Sequence, residues 1–215
     1  MIEDKYIHVK RGYENIIVSF GSGVGLFGGV NSGEFRKTLN KFDTDILFVF
    51  DEKKVWYLEG ISDTINSISK LSEFILEITK PYKNVGFLGS SMGGYGAILM
   101  SMYCKPNSVL AFSPQVVIGS YKQNVFGDLR FSKFDEKIID FDDFYFNLSR
   151  FNYYSDIHIF YGDKEHYDSK HAEHMKDKCI LHPIDTDEHN VAGVLKRSGM
   201  LESSILESFL FLSFI

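Results

Sequence analysis

The chain has 215 residues, 44% of them hydrophobic and 15% aromatic, with a formal charge of −6 at neutral pH. This length suits one α/β domain with a full core, and the composition excludes a disordered chain. The acidic balance argues against nucleic acid as a partner, because a basic face is needed there. Two cysteines, Cys104 and Cys179, in no CxxC spacing rule out a cysteine-built metal site and fit a reducing compartment.

In chain order, the opening MIEDKYIHVK is charged and lacks a secretory apolar run, which predicts a cytoplasmic protein. Apolar runs rich in β-branched and aromatic residues then recur at 15–20, 45–50, 84–88, 108–112, 156–161 and 179–184. Most are continuous rather than alternating, as parallel strands covered on both faces require. Helical patterns fall between them at 33–42, 63–80, 94–103, 169–178 and 191–212. Strands alternating with helices predict an α/β fold: a mostly parallel central sheet flanked by helices on both faces, in one domain spanning 1–215. Residues 115–153 break the rhythm, being aromatic, charged and weakly periodic. Such an insertion is either a small cap over a site or an irregular surface excursion. The C-terminal ILESFLFLSFI is too short and interrupted to span a bilayer, and reads as a final helix packing its Phe/Leu face on the sheet.

Ligands of open parallel sheets bind beyond the carboxyl ends of the strands. The run 84–88 is followed there by Gly89-Ser90-Ser91-Met92-Gly93, a G-x-S-x-G pattern with a strand before it and a helix after it. In that pattern the central serine sits on a strained strand-to-helix turn, and the flanking glycines leave room for it. Register selects Ser91 over Ser90 as a nucleophile. A base is expected after the last strand, where His189 falls in a loop; His8, His158 and His182 lie in strands, and His171 and His174 on a helix. The acid is expected in the loop after 156–161, which offers Asp163, Glu165 and Asp168. Spacing favours Glu165, with Asp168 as the rival acid, although a helix N-cap explains Asp168 equally well. The oxyanion hole needs backbone N–H groups: Met92 after the nucleophile, and Gly21 or Ser22 from the glycine-rich loop after 15–20.

Two other chemistries compete. Gly23-x-Gly25-x-x-Gly28 with Asp51 closing the next strand resembles a dinucleotide fingerprint, but a run of turn residues delays the helix that should follow at once. His166, His171 and His174 with Asp168 could ligate a metal; solvated positions on an amphipathic helix account for them more simply. No metal is needed by a serine mechanism.

Ser91, the acidic loop and His189, in that order, resemble the α/β-hydrolase superfamily from about residue 14 to the C-terminus. LGSSMGGYGA, FSPQ and HIFYGDKEHYD are similar, more narrowly, to bacterial capsule O-acetyltransferases built on that fold, and in type to the acetyltransferase of the accessory secretion system. The resemblance implies nucleophile Ser91, base His189 and acid Glu165, although capsule enzymes carry aspartate at that position. It also implies acetyl-CoA as donor and a glycan hydroxyl as acceptor. The expected function is acyl transfer through an acyl-Ser91 intermediate, by a carboxylesterase or an O-acetyltransferase acting on a small ester or glycan. No cofactor is required unless the protein is a transferase. A catalytically silent hydrolase-fold binding protein is the alternative, with a dinucleotide binder behind it.

Overall fold

The computed structural model describes residues 6–23 and 35–215. Among them, seven strands form one sheet: β1 (Tyr6–Val9), β2 (Asn15–Phe20), β3 (Asp45–Val49), β4 (Asn84–Ser90), β5 (Ser108–Phe112), β6 (Asp156–Gly162) and β7 (Ile180–Ile184). Their spatial order is β1-β3-β2-β4-β5-β6-β7, and only β1 runs antiparallel to its neighbour. The helices are α1 (Arg36–Leu39), α2 (Ile68–Thr79), α3 (Met92–Cys104), α4 (Gly119–Phe126), α5 (Ser132–Asp135), α6 (His166–Glu173), α7 (Val191–Arg197) and α8 (Leu201–Ser208).

The continuous apolar runs become strands because each feeds two cores. Along β2, Ile16, Val18 and Phe20 join one buried cluster, while Ile17 joins another. The first cluster is closed by Leu71 and Ile75 of α2 and Ile98 of α3; the second by Val191 and Leu195 of α7 and Ile205 of α8. Alternate side chains point to opposite faces of a strand, so a strand covered on both sides can hold no polar stripe.

Caps and glycines set the helix ends. Helix α2 starts at Ile68 rather than near 63, because the Ser67 side chain accepts the Lys70 N–H at 3.2 Å. The single C-terminal helix expected over 191–212 is instead two: Gly199, at φ 75°, breaks it, and α8 stops at Ser208. Beyond it Phe209 is buried, yet Leu210 is 88% exposed, so no helical Phe/Leu face continues to the end. Among the described residues no helix is long and apolar enough to cross a membrane.

The strand order places the site. From β2 the chain moves outward to β3, and from β4 it moves the opposite way to β5. The loops leaving β2 and β4 therefore diverge, and a crevice opens between them at the carboxyl edge of the sheet. From residues 115–153, Gln115, Phe131 and Phe134 line a cavity at this edge. The two ends of this segment pair through Leu148 N–H to the Val116 carbonyl and Ile118 N–H to the Phe146 carbonyl, both at 2.9 Å. Val116, Val117, Ile118, Ile138 and Leu148 are fully buried, which makes the insertion a packed unit rather than a loose excursion.

Candidate active site

Ser91 lies where β4 turns into α3, at φ 52° and ψ −118°, a strained conformation for a residue with a side chain. The two glycines of the motif explain how the turn fits. A Cβ on Gly89 would sit 2.2 Å from the Gly93 carbonyl oxygen, and one on Gly93 would sit 2.2 Å from that of Phe20. Neither contact is tolerable. The turn is fixed by the Ser91 N–H donating to the Phe112 carbonyl at 2.8 Å.

His189 reaches this serine from the loop between β7 and α7, its Nε2 lying 3.1 Å from Ser91 Oγ. Its Nδ1 lies 2.7 Å from Asp168 Oδ2. The carboxylate on His189 is therefore Asp168, and the preference for Glu165 is corrected. Helix α6 begins at His166, three residues earlier than its periodicity suggests, so Glu165 is the N-cap and accepts the Asp168 N–H at 2.6 Å. Asp168 is thus inside the first turn, where a side chain tilts back toward the helix N-terminus and the loop carrying His189. Asp163 is exposed.

A signal that local sequence does not carry holds Asp168 in place. Arg130, from the insertion, donates through Nη1 to Asp168 Oδ1 and to Glu165 Oε2, each at 2.9 Å, and through Nη2 to Asp128 Oδ2 at 3.0 Å. Burial alone would raise the Asp168 carboxyl, but the His189 hydrogen bond and the Arg130 charge more than offset it and hold it below its ordinary value. Asp128 is likewise depressed, by His171 and Arg130 against burial. Burial and the nearby Asp168 charge instead push Glu165 up.

The candidate metal histidines are not gathered. His171 is fully buried, a correction to its expected solvated position, and packs Nε2 against Asp128 Oδ2 at 3.3 Å while Nδ1 accepts the Val117 N–H at 3.4 Å. His174 instead faces Asn147 Oδ1 at 3.2 Å. Burial lowers His171, and also His158, His174 and His182, below 6.5. The signs give a two-step loss of stability in acid. The neutral histidines resist protonation in the folded chain, so stability falls as pH drops below about 6.5. The depressed Asp128 and Asp168 add a second loss below about 3.9, as the unfolded carboxylates take up protons. Urea midpoints measured from pH 8 to pH 3 should show both limbs; a flat profile above pH 5 would contradict the first.

The oxyanion expectations divide. Met92 is the first residue of α3, where N–H groups have no intrahelical acceptor. Gly21 is corrected: its N–H donates to the Val49 carbonyl at 2.9 Å. Ser22 lines the cavity beside Ser91. The Gly21 carbonyl accepts the Tyr57 hydroxyl at 2.8 Å, which fixes the plane of the Gly21–Ser22 peptide and turns the Ser22 N–H away from Tyr57. Tyr57 belongs to a strained turn in which Lys54, Trp56 and Tyr57 all have positive φ. The Asp51 carboxylate holds this turn by accepting the N–H groups of Lys54, Val55 and Tyr57 at 2.8–2.9 Å. Asp51 is thus buried and turned into its own loop, away from any ribose-binding role; of the proposed glycine fingerprint only Gly23 lies within the described residues.

The cavity encloses about 320 Å³ between Ser91, His189, Gln115 and the aromatic walls Trp56, Phe131 and Phe134. The arrangement can draw a proton from Ser91 into His189, hold the resulting cation against Asp168, and meet an oxyanion with backbone N–H groups.

No protein-family model matches the chain, and no curated protein matches it. Solved structures do. The capsule O-acetyltransferase of Neisseria meningitidis serogroup A is similar with a TM-score of 0.55 at 16% identity, over 93% of this chain and 90% of that one. Esterase 2 of Thermogutta terrifontis, phosphonylated by sarin, gives 0.64 at 15% identity, over 97% and 90%. A lipase-esterase related protein from Clostridium acetobutylicum gives 0.56 at 18% identity, over 93% and 97%. The chain has the α/β-hydrolase fold, with the mostly parallel sheet and two-sided helices expected of it.

Proposed function

From this fold and this constellation we propose a serine-dependent acyl-transfer enzyme, a carboxylesterase or O-acetyltransferase working through acyl-Ser91. The observation that carries the reading is the unbroken chain from Ser91 Oγ through His189 to Asp168, at 3.1 and 2.7 Å. His189 Nε2 takes the Ser91 proton as Oγ attacks an ester or thioester carbonyl. The Met92 and Ser22 N–H groups receive the oxyanion, each worth about 3 kcal/mol in the transition state. His189 then gives the proton to the departing alcohol or thiol. In the second half, water or a sugar hydroxyl is deprotonated by His189 and releases the acyl group, which makes the protein an esterase or a transferase. Asp168 keeps the imidazole proton on Nδ1 throughout.

The Thermogutta esterase takes a phosphonyl group from sarin, and a histidine-to-alanine mutant of the meningococcal enzyme is known in a complex with CoA. Were acetyl-CoA the donor here, Lys54 and Lys133, both within 6 Å of the Phe134 ring on the cavity wall, would meet its phosphates. Residues 115–153 act as a cap, supplying Phe131 and Phe134 to that wall. The free thiols Cys104 and Cys179 agree with a cytoplasmic protein.

A fluorophosphonate probe tests the reading. Labelling at Ser91, abolished by Ser91→Ala and slowed by about 10⁴-fold or more in His189→Ala, is the expected result. Folded wild-type protein that takes no label would mark a silent binding scaffold instead. Hydrolysis of p-nitrophenyl acetate with and without a glycan acceptor, repeated with acetyl-CoA, then separates hydrolysis from transfer.

A further inference from the structure

Gln115, just past β5, lines the cavity at 1% exposure and takes no part in the steps above. Its Oε1 lies 3.1 Å from Ser91 Oγ, while its Nε2 is buried with no hydrogen-bond partner among the described residues. The protons around Ser91 do not match the acceptors that face it. Ser91 has one hydroxyl proton, and two acceptors face it at the same 3.1 Å: Gln115 Oε1 and His189 Nε2. With Asp168 holding the imidazole proton on Nδ1, neutral His189 offers only a lone pair at Nε2. Whichever acceptor takes the serine proton, the other faces a lone pair, and the amide NH₂ faces no acceptor among the described residues.

The two ends of a side-chain amide have nearly the same shape, so the hydrogen-bond network decides which atom is which. A half-turn of the Gln115 amide directs an N–H at Ser91 Oγ and leaves the serine proton wholly to His189. It also replaces an orphaned buried NH₂ by a buried carbonyl oxygen, of which unpaired examples are less rare. We infer that Gln115 is a catalytic residue, donating an amide N–H to Ser91 Oγ. The donor stabilises the negative charge that grows on Oγ as its proton leaves for Nε2. It stabilises the same atom again when the acyl-Ser91 ester breaks and Oγ departs. It would act on the nucleophile oxygen, apart from the oxyanion donors Met92 and Ser22.

The inference rests on the acyl-transfer reading, and the tests tell the two apart. In the first, the second-order rate of fluorophosphonate labelling is measured at pH 8 in wild type, Gln115→Met and Gln115→Glu, each checked for folding by thermal melt. A lost hydrogen bond to a charged atom is expected to slow Gln115→Met by about 10- to 100-fold. Gln115→Glu should be slower still, because its carboxylate repels the charge on Oγ. The Glu-to-Met rate ratio should then rise as pH falls and the carboxyl becomes a donor. A Gln115→Glu variant faster than Gln115→Met at pH 8, or a Gln115→Met variant equal to wild type, would overturn the inference while leaving Ser91 the nucleophile. Wild type that takes no label at all would sink the acyl-transfer reading instead.

The second test needs no Gln115 variant. The chain holds only two glutamines, Gln115 and Gln123, so selective ¹⁵N-glutamine labelling gives two side-chain amide pairs in the NMR spectrum. One Gln115 amide proton should stand downfield in wild type and move upfield in Ser91→Ala. If neither proton responds to Ser91→Ala, the amide does not donate to that oxygen.

Discussion

Asp168→Asn is expected to lower kcat for ester hydrolysis by about 10⁴-fold, and Glu165→Gln by less than about tenfold. An asparagine at 168 can present its NH₂ to His189 Nδ1, now 2.7 Å from a carboxylate oxygen, and so favour the tautomer protonated on Nε2. That imidazole cannot receive the Ser91 proton, although the site keeps its shape. Glu165, by contrast, touches the Asp168 N–H and Arg130 but not His189. Its glutamine variant retains an acceptor for the α6 cap and loses only charge, at a stability cost of about 1 kcal/mol. Steady-state kinetics on the two folded variants decide the matter. Equal losses would return the acid's role to an open choice between the two carboxylates.

Arg130→Met should be the most destabilising single change near the site. Asp128 and Asp168 have side chains 0% and 1% exposed, and the guanidinium between them is the cation that both share. Its removal leaves two buried carboxylates in one polar pocket, a defect of about 3–5 kcal/mol. For a chain of this size that corresponds to a melting temperature lower by roughly 6–20 °C. Arg130→Lys should recover only part of the loss, since one ammonium cannot reproduce the planar fork that serves Asp128, Glu165 and Asp168 together. Thermal unfolding at pH 7 reads both variants, and a Met variant melting within a degree or two of wild type would refute the account.

The features legible in the sequence are those that local physics dictates. Buried parallel strands have to be apolar on both faces, so the six runs are visible. The Ser91 turn announces itself because only glycine fits at 89 and 93. His189 follows from its place after the last strand. The carboxylate on His189 lies one helical turn beyond the residue that spacing favours: His166 and Tyr167 break the apolar periodicity that marks α6, so the sequence shows neither the helix start nor the Glu165 cap. Arg130, Tyr57 and Gln115 reach the site only through tertiary packing, from loops with no period of their own. The short antiparallel β1, outside the six runs, has every residue half-buried, too weak a contrast to mark a strand by apolarity.

The left-handed pair Trp56–Tyr57 carries a backbone cost of order 1–3 kcal/mol per residue. The Asp51 carboxylate keeps that tension from relaxing, and the Tyr57 hydroxyl transmits it to the peptide that carries the Ser22 N–H. With Ser22 in the oxyanion role proposed for it, robustness and turnover are set against each other in one short turn. A lineage driven toward heat resistance would gain first by slackening residues 54–57, and the sturdier descendants would be the slower catalysts.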